Sequence, residues 1–343
     1  MPVANRRMFP RPRAFAALAG LLAGLFAPLQ AWSQAAGAQP NADLGGWPNK
    51  PARIVAPFAP GGSTERLSRL VAQRLQESFG QPFVIESRPG AGGAIGSDVV
   101  AKSAPDGYTL LLSSLASQII TPVAQKTAYD GLRDFTHLAV LGGPPTAIIL
   151  GPAMQAKDLK EFIAEAKARP GGVTYGSPGA GSHAHLLGQV FNQKTGSTLI
   201  HVPYKGAGGV ITDVVGGHLP SALITISSVI TQIKAGKARA LAHSGTRRAP
   251  DLPDVPTFAE VGLPDLTGIT WFGISGPAKL PVPIASALNR EIRKAMASEP
   301  VREALRPEGF EIMDLDLAAT TEFFRKENAR WQPIARAAGV RND

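Results

Sequence analysis

The sequence predicts an α/β protein of two lobes, each built on a mixed sheet flanked by helices. Two β-α-β series follow one another, and a return strand with C-terminal helices comes after the second. This alternation favours parallel strands joined by right-handed crossovers. A chain of 343 residues also fits two units of roughly 100–200 residues. We place lobe one at 44–143 plus 270–343 and lobe two at 144–269.

The first series begins with an apolar run at 53–56, which predicts a buried strand. Leu67, Leu70, Val71 and Leu75 then form one helical stripe, and Gly80 ends that helix. Further along we predict a strand at 83–85, a helix at 95–101, a turn at 105–107 and a strand at 108–112. Strands at 139–141 and 147–150 follow, separated by two glycines and two prolines.

An amphipathic helix at 159–167 leads into the second series. We predict strands at 173–176, 199–202, 221–224 and 238–242, with helices at 184–193 and 210–215. The Pro-rich stretch 250–264 is typical of an irregular connection. A strand near 271–275 and helices at 284–296, 301–305 and 320–338 complete the chain.

The first 35 residues have the pattern of an export signal. Four arginines precede an apolar run at 14–29, which is shorter than the ~20 residues of a membrane span. Ser33 and Ala35 are the small residues that a cleavage site requires, and 36–38 offer a second site. Residues 5–9 also resemble a twin-arginine signal. We therefore expect a periplasmic protein with a signal peptide at 1–35.

Charge and cysteine content exclude several classes of function. Loss of the four arginines lowers the formal net charge from +9 to +5. The remaining basic residues are scattered and form no run interleaved with aromatic residues, which argues against nucleic-acid binding. The absence of cysteine excludes disulfides, thiolate chemistry and a lipidated cysteine anchor.

A Gly-rich turn joins the first strand to the first helix at 57–64. Free backbone N–H groups and the positive end of the helix dipole meet in such a turn, which suits an anionic oxygen. Ser63 or Thr64 adds a hydroxyl donor or simply caps the helix. The ligand contacts predicted here are Phe58, Pro60, Gly61, Gly62, Ser63 and Thr64.

A second turn of this kind lies at 177–183, again between a strand and a helix. The run from Gly179 to Ala184 fits the G-x-G-x-x-A pattern of dinucleotide-binding folds. Such folds need an acidic residue about 20 positions later, yet no Asp or Glu occurs between Glu165 and Asp213. The same absence favours an anionic ligand. The contacts predicted here are Gly179, Ala180, Gly181, Ser182 and His183.

Two more Gly-rich turns, at 88–93 and 201–209, have the same build. Four such turns place donor-rich strand ends around one crevice, where open α/β sheets bind ligands. Lys205 supplies charge to that crevice or is an ordinary solvated lysine. The remaining predicted contacts are Ser113, Ser114, Tyr204, Lys205 and Thr225.

Enzyme motifs are incomplete. No serine lies in G-x-S-x-G, and Ser177 occupies the lysine position of the P-loop-like run 171–177. His183 and His185 form an H-x-H pair that could bind a metal, but no third ligand is adjacent in sequence, and a pocket-lining or structural role is the alternative. We predict no enzymatic activity, no cofactor and no metal.

In combination, these turns and several further motifs make the chain similar to the Bug family, the periplasmic solute receptors of tripartite tricarboxylate transporters. The resemblance runs from about Trp47 to the C-terminus. Its motifs are 57–64 (PFAPGGST), 88–93 (RPGAGG), 105–111 (PDGYTLL), 201–206 (HVPYKG), 254–257 (DVPT) with Glu260, and 271–273 (WFG).

The resemblance implies a Venus-flytrap fold, inner-membrane transporter subunits as partners, and a ligand carboxylate held by main-chain groups at 61–64 and 179–183. Members bind dicarboxylates, tricarboxylates, amino acids, aromatic acids or neutral vitamins, so the solute stays open. The chain departs from the family at Glu65, commonly Asp, at Ser87, usually Asn, and at Thr225, often acidic or amide.

The sequence thus predicts a monomeric receptor that closes around a small organic acid by a hinge motion of its lobes. One alternative is an orphan receptor that presents its ligand to a sensor kinase. Another is an exported hydrolase or isomerase that uses His183 or His185 as a general base.

Overall fold

The computed structural model describes residues 44–58 and 63–340, with the backbone alone at 63–65. The predicted signal peptide at 1–35 and the predicted contacts Pro60, Gly61 and Gly62 lie outside the described residues. Within the described part of the chain, none of the helices combines the length and apolar character that crossing a membrane requires.

Eleven strands are present in the described residues. They are β1 (Ala52–Ala56), β2 (Phe83–Ser87), β3 (Thr109–Ser114), β4 (Phe135–Gly143), β5 (Thr146–Leu150), β6 (Val173–Ser177), β7 (Leu199–Pro203), β8 (Ser221–Thr225), β9 (Arg239–His243), β10 (Phe272–Pro277) and β11 (Glu311–Ile312). Short apolar runs that end at Gly, Pro or Ser explain why most of them were predictable.

Ten α-helices accompany these strands in the described residues. They are α1 (Ser63–Phe79), α2 (Ala94–Ala101), α3 (Thr121–Ala124), α4 (Leu159–Ala168), α5 (His183–Thr195), α6 (Ala207–Val215), α7 (Ile226–Lys234), α8 (Val282–Ala297), α9 (Glu299–Leu305) and α10 (Leu317–Ala337). A π-helical turn at Ala116–Ile120 runs directly into α3. N-cap side chains determine where some helices begin. The Asp158 carboxylate accepts a hydrogen bond from the Glu161 N–H at the start of α4, and the Asp316 carboxylate accepts one from the Ala319 N–H at the start of α10.

The two sheets are both mixed, as predicted. The first has the order β11-β4-β10-β3-β1-β2, in which β1 is parallel to β2 and β3 while β10 runs antiparallel to β3 and β4. The second has the order β7-β6-β8-β5-β9, in which β6 is parallel to β7 and β8 while β5 is antiparallel to β8 and β9. Helices pack on both sheets.

Two short extended segments connect the sheets. Residues 144 and 145 carry the chain from β4 to β5, and 269–271 carry it back into β10. The segments lie side by side, because Thr270 N–H donates to the Pro144 carbonyl and Pro145 pairs with Ile269. At Gly143 a Cβ atom would lie 2.0 Å from the Thr270 carbonyl oxygen, so only glycine permits this approach. We call 143–146 and 268–271 the hinge.

The C-terminal helix α10 stabilises the hinge region. It contacts β4, α3 and the π-helical turn, and also α5, which packs on the second sheet. Trp271, Phe324 and Trp331 are fully buried there in a cluster that also contains apolar residues of β5 and β6. A separate cluster fills the space between the first sheet and helices α1 and α8. Buried apolar area of this kind is the main contribution to stability.

Candidate functional site

The carboxyl ends of the parallel strands in both sheets lie at the edges that the hinge joins. In the first sheet, Ser114 at the end of β3 pairs with Phe272, the first residue of β10. In the second, Thr225 at the end of β8 pairs with Thr146, the first residue of β5. Because the hinge residues continue from these positions, both edges adjoin the hinge.

Three helices begin at this edge of the second sheet. Helix α5 follows β6 at Ser177, α6 follows β7 at Pro203, and α7 follows β8 at Thr225. Ser177 and Pro203 are direct partners in the β6–β7 ladder. We call the three turns 177–183, 203–207 and 225–228 the amide edge. The structure thus brings together the lobe-two contacts predicted from sequence.

The turn at 177–183 keeps several N–H groups available. Gly179 N–H donates to Ser177 Oγ at 3.2 Å and Gly181 N–H donates to His185 Nδ1 at 3.2 Å. The backbone N–H groups of Ala180, His183 and Ala184 make no hydrogen bond to any described residue. Such donors, at the positive end of a helix of 13 residues, suit a carboxylate oxygen.

Side chains beneath the turn hold its shape. The Ser177 hydroxyl donates to the Gly179 carbonyl at 3.0 Å and lies 2.6 Å from His201 Nε2. The Ser182 hydroxyl also donates to the Gly179 carbonyl, at 2.8 Å, and accepts the His185 N–H as the N-cap of α5. The network is satisfied when neutral His201 carries its proton on Nε2.

The imidazoles of His185 and His201 stack on each other with ring centroids 3.9 Å apart. Burial is the main cause that lowers the pKa of His201 to about 4, and the nearby His185 adds to it. Burial also lowers the pKa of His185. Both rings are therefore neutral at pH 7, which keeps His185 Nδ1 an acceptor for the loop N–H.

The turn at 203–207 is joined to the first by two backbone bonds. Tyr204 N–H donates to the Ser177 carbonyl and Gly206 N–H to the Pro178 carbonyl. The Tyr204 hydroxyl donates to Asp213 at 2.6 Å, a bond that raises its pKa to about 12. Lys205 is exposed, and no ion pair between described residues involves it. It is thus available to a charged solute.

Thr225 completes the amide edge with a group of hydroxyls. Its Oγ1 lies 2.9 Å from Ser228 Oγ and accepts from Ser227 Oγ at 3.3 Å. Ile226 N–H is already bound to the Pro145 carbonyl. Helix α7 therefore presents hydroxyl groups at its start.

The facing edge of the first sheet is compact around Pro57. Cβ atoms at Gly93 or Gly96 would lie 2.9 Å from Ser117 or Pro57, so glycine is needed at both positions of the predicted turn 88–93 and the helix after it. Ser114 and Ser117 exchange hydrogen bonds between backbone N–H and hydroxyl. Ser113 Oγ accepts from Ser275. The predicted contact Phe58 is half-buried at this edge.

His183 occupies the hinge. Its Nδ1 lies 3.1 Å from Thr146 Oγ1 and 3.2 Å from Thr270 Oγ1, and its ring meets Trp331 edge-on. Burial lowers its pKa to about 3, with a further contribution from Arg330. Only 4% of the residue is exposed. Its side chain therefore contacts both segments of the hinge, while its backbone N–H belongs to the amide edge.

No residue from 166 to 212 is acidic. The turns 177–183 and 203–207 of the amide edge therefore offer hydrogen-bond donors without a carboxylate of their own. No group of three or more His, Asp or Glu residues suited to a metal ion is found among residues that the structure describes. Sequence reasoning did not identify the roles of Thr146, Thr270, Ser117 and His201, because those roles depend on neighbours distant in the chain. Thr146 begins β5 and His201 lies within β7, at the start of the predicted turn 201–209, whereas Ser117 and Thr270 lie outside the strands.

A family model described as the tripartite tricarboxylate transporter family receptor matches residues 67–340. The chain belongs to this receptor family. It is 36% identical to Protein BugT of Bordetella pertussis over 86% of this chain and 91% of that protein. The resemblance to the Bug family and the two-lobed fold of periplasmic binding proteins are thereby confirmed.

Two solved structures of the same fold contain a ligand. R. palustris Rpa4515 with adipate has a TM-score of 0.73 and 31% identity, over 85% of this chain and 98% of that one. MatC (Rpa3494) from Rhodopseudomonas palustris with bound malate has a TM-score of 0.69 and 28% identity, over 84% and 100%. The chain is a solute-binding receptor by family, and these two neighbours contain adipate and malate.

Proposed function

We propose that this receptor captures a small carboxylate-bearing solute in the cleft between its two lobes. The observation that carries the proposal is the amide edge, where α5, α6 and α7 begin. No residue from 166 to 212 is acidic. The N–H groups of Ala180, His183 and Ala184 have no hydrogen-bond acceptor among the residues that the structure describes, which suits them to one carboxylate. Bound adipate and malate in two structural neighbours support this ligand class.

The contacts to the solute come from both lobes. We take lobe one as 44–143 plus 270–343 and lobe two as 144–269. Lobe one contributes the turn at 57–64 and the strand end at Ser114, and lobe two contributes the amide edge with Lys205 and Thr225. Lys205 gives the cleft a positive charge, and hinge motion brings the two sets of contacts together.

The cellular compartment is inferred from the predicted signal peptide at 1–35 and from the family. Residues 1–35 direct export and are removed, and the mature receptor works as a monomer in the periplasm. It hands its solute to the inner-membrane subunits of a tripartite tricarboxylate transporter, and it binds without turnover. The family and its structural neighbours are periplasmic receptors, which supports this assignment.

Calorimetry against a panel of mono-, di- and tricarboxylates tests the proposal. The matched control is the amide of each acid, which keeps the shape and loses the charge. We expect 1:1 saturation by one or a few acids, no saturation by their amides, and compaction in small-angle scattering on binding. Equal binding of acid and amide, or no binding across the panel, would contradict a carboxylate solute.

A further inference from the structure

A pocket lies at the hinge, apart from the amide edge. Its volume is about 330 Å³, within the ~300–1,000 Å³ range of small-molecule sites. We call it the hinge pocket. It is lined by Thr246, Gly268, Ile269, Trp271, Glu311, Ile312, Met313, Asp314, Leu315, Phe323 and Glu327. None of these is a predicted contact of the carboxylate solute.

The walls of the hinge pocket are mainly apolar. Trp271 and Phe323 meet edge-on with ring centroids 5.6 Å apart, and Met313 and Leu315 come from the segment that leads from β11 into α10. Aromatic rings, a thioether and aliphatic side chains favour the hydrocarbon part of a ligand. Aromatic faces also attract cations.

Every charged residue that lines the hinge pocket is acidic. Asp314 is paired with Arg293, and Glu311 accepts from Thr246. Glu327 differs from both, because its Oε2 accepts the indole N–H groups of Trp271 and Trp331 at 2.8 and 2.9 Å while its Oε1 has no hydrogen bond within the described residues.

The nearest cation does not satisfy Glu327 Oε1. Arg330 Nη1 lies 4.0 Å away, beyond hydrogen-bond range. Its guanidinium is held elsewhere, since Nη2 donates to the Asp265 carbonyl at 2.8 Å and the group stacks over Trp331. The side chain of Glu327 is only 15% exposed. Glu327 thus lines a mainly apolar pocket with one carboxylate oxygen that has no hydrogen-bond donor among the described residues.

We propose that the hinge pocket binds an organic monoammonium compound with a small aryl or alkyl body. Its ammonium group donates to Glu327 Oε1, and its hydrocarbon part packs against Trp271, Phe323 and Met313. A charge-assisted bond is the strongest polar contact available to such a ligand. Glu311 and Asp314 disfavour an anionic compound at the same place.

The site is coupled to the hinge by its position. Thr246 follows β9 of the second sheet, whereas Glu311 belongs to β11 of the first, and both line the pocket. Gly268 and Ile269 belong to the hinge itself. A compound bound here contacts parts of both lobes, so its binding depends on their relative arrangement.

Calorimetry of the purified receptor with 2-phenylethylammonium chloride tests the proposal. We expect 1:1 saturation accompanied by a change in Trp fluorescence, and no such signal from phenylacetate or 2-phenylethanol. Glu327→Gln should weaken 2-phenylethylammonium by about tenfold or more, as expected for loss of a charged hydrogen-bond partner. Met313→Trp should fill the pocket and abolish binding with Glu327 intact.

Two controls separate this site from others. Glu303→Gln alters an exposed acid outside the pocket and should leave 2-phenylethylammonium binding unchanged. Gly179→Ala, at the amide edge, should also leave it unchanged. The proposal is overturned if the parent shows no saturation at millimolar concentration. It is equally overturned if neither Glu327→Gln nor Met313→Trp weakens binding while both variants fold normally.

Discussion

Thr246 donates both its backbone N–H and its hydroxyl to the carboxylate of Glu311, at 3.0 and 2.7 Å. Thr246 follows the last strand of the second sheet, and Glu311 lies in the edge strand of the first. The contact therefore spans the hinge and joins the two lobes. We call this contact between Thr246 and Glu311 the polar clasp. It lies outside the amide edge.

Glu311→Ala should loosen this clasp. Loss of hydrogen bonds to a half-exposed charged group should lower the free energy of unfolding by about 1 kcal/mol, measured by urea denaturation. Small-angle scattering should show a wider distribution of lobe separations. Glu303→Ala is the control, because Glu303 makes only an exposed ion pair with Arg306. Identical scattering and stability for the two variants would refute the role of the clasp.

Gly179→Ala should weaken solute binding more than it weakens the fold. Gly179 has φ +154°, and a Cβ there would lie 3.3 Å from the Tyr204 carbonyl oxygen. The strain should cost about 1 kcal/mol and shift the turn that carries the free N–H groups, with a loss of affinity of about tenfold.

Gly236→Ala is the matched control for this substitution. Gly236 has φ +68° with nothing within 4 Å of a Cβ, after the end of α7. Calorimetry should show unchanged affinity for Gly236→Ala at comparable stability. The bulkier Gly61→Val tests the lobe-one turn in the same way, and tight binding by Gly61→Val would refute its assignment as a carboxylate contact.

Ser177→Ala should reduce affinity through the shape of the turn. The substitution removes the partner of His201 Nε2 and of Gly179 N–H, with a loss of affinity of about fivefold. Ser221→Ala is the control, since Ser221 is equally buried and donates to the Thr174 carbonyl at the opposite end of β8. Both variants should lose similar stability, and an equal effect on affinity would show that Ser177 has no specific role.

Acid should destabilise the receptor through His183. Its pKa is lowered to about 3 in the folded state from an ordinary 6.5, so the unfolded chain binds more protons between these values. The neutral ring thus favours the fold above pH 6.5, and this contribution is lost as the pH falls. At pH 5 the loss is about 2 kcal/mol.

His183→Asn isolates that contribution. Asparagine places a polar group near the position of Nδ1, within reach of Thr146 and Thr270, and does not titrate. Urea denaturation of parent and variant between pH 7.5 and 5 should give a steeper fall for the parent, whatever the difference at pH 7.5. Parallel curves would show that His183 does not carry this pH dependence.

Most strands and the Gly-rich turns were predictable from sequence, because a short apolar run that ends at Gly, Pro or Ser is typical of a buried strand followed by a turn. The π-helical turn, α3 and α7 were not identified. Residues 226–234 are rich in Ile, Val and Thr, which do not favour a helix. Burial of Ile226 and Val229 stabilises α7 instead, and no local pattern reports that packing.

The site was predictable only in part. The turn at 177–183 was found because its glycines and its position after a strand are local features. The orientation of His183 was not, since Thr146 and Thr270 lie 37 and 87 residues away in sequence. The two-residue β11 was also missed, because it exists only through pairing with Gly142 and Gly143.

The central proposal is that backbone N–H groups bind the carboxylate of the solute. Amide NMR of the isotopically labelled receptor tests this proposal most directly. On titration with an acid that saturates in calorimetry, the ¹H–¹⁵N signals of Ala180, His183 and Ala184 should shift downfield, while that of Gly236 stays in place. Saturation by the acid with these three signals unmoved would contradict the claim.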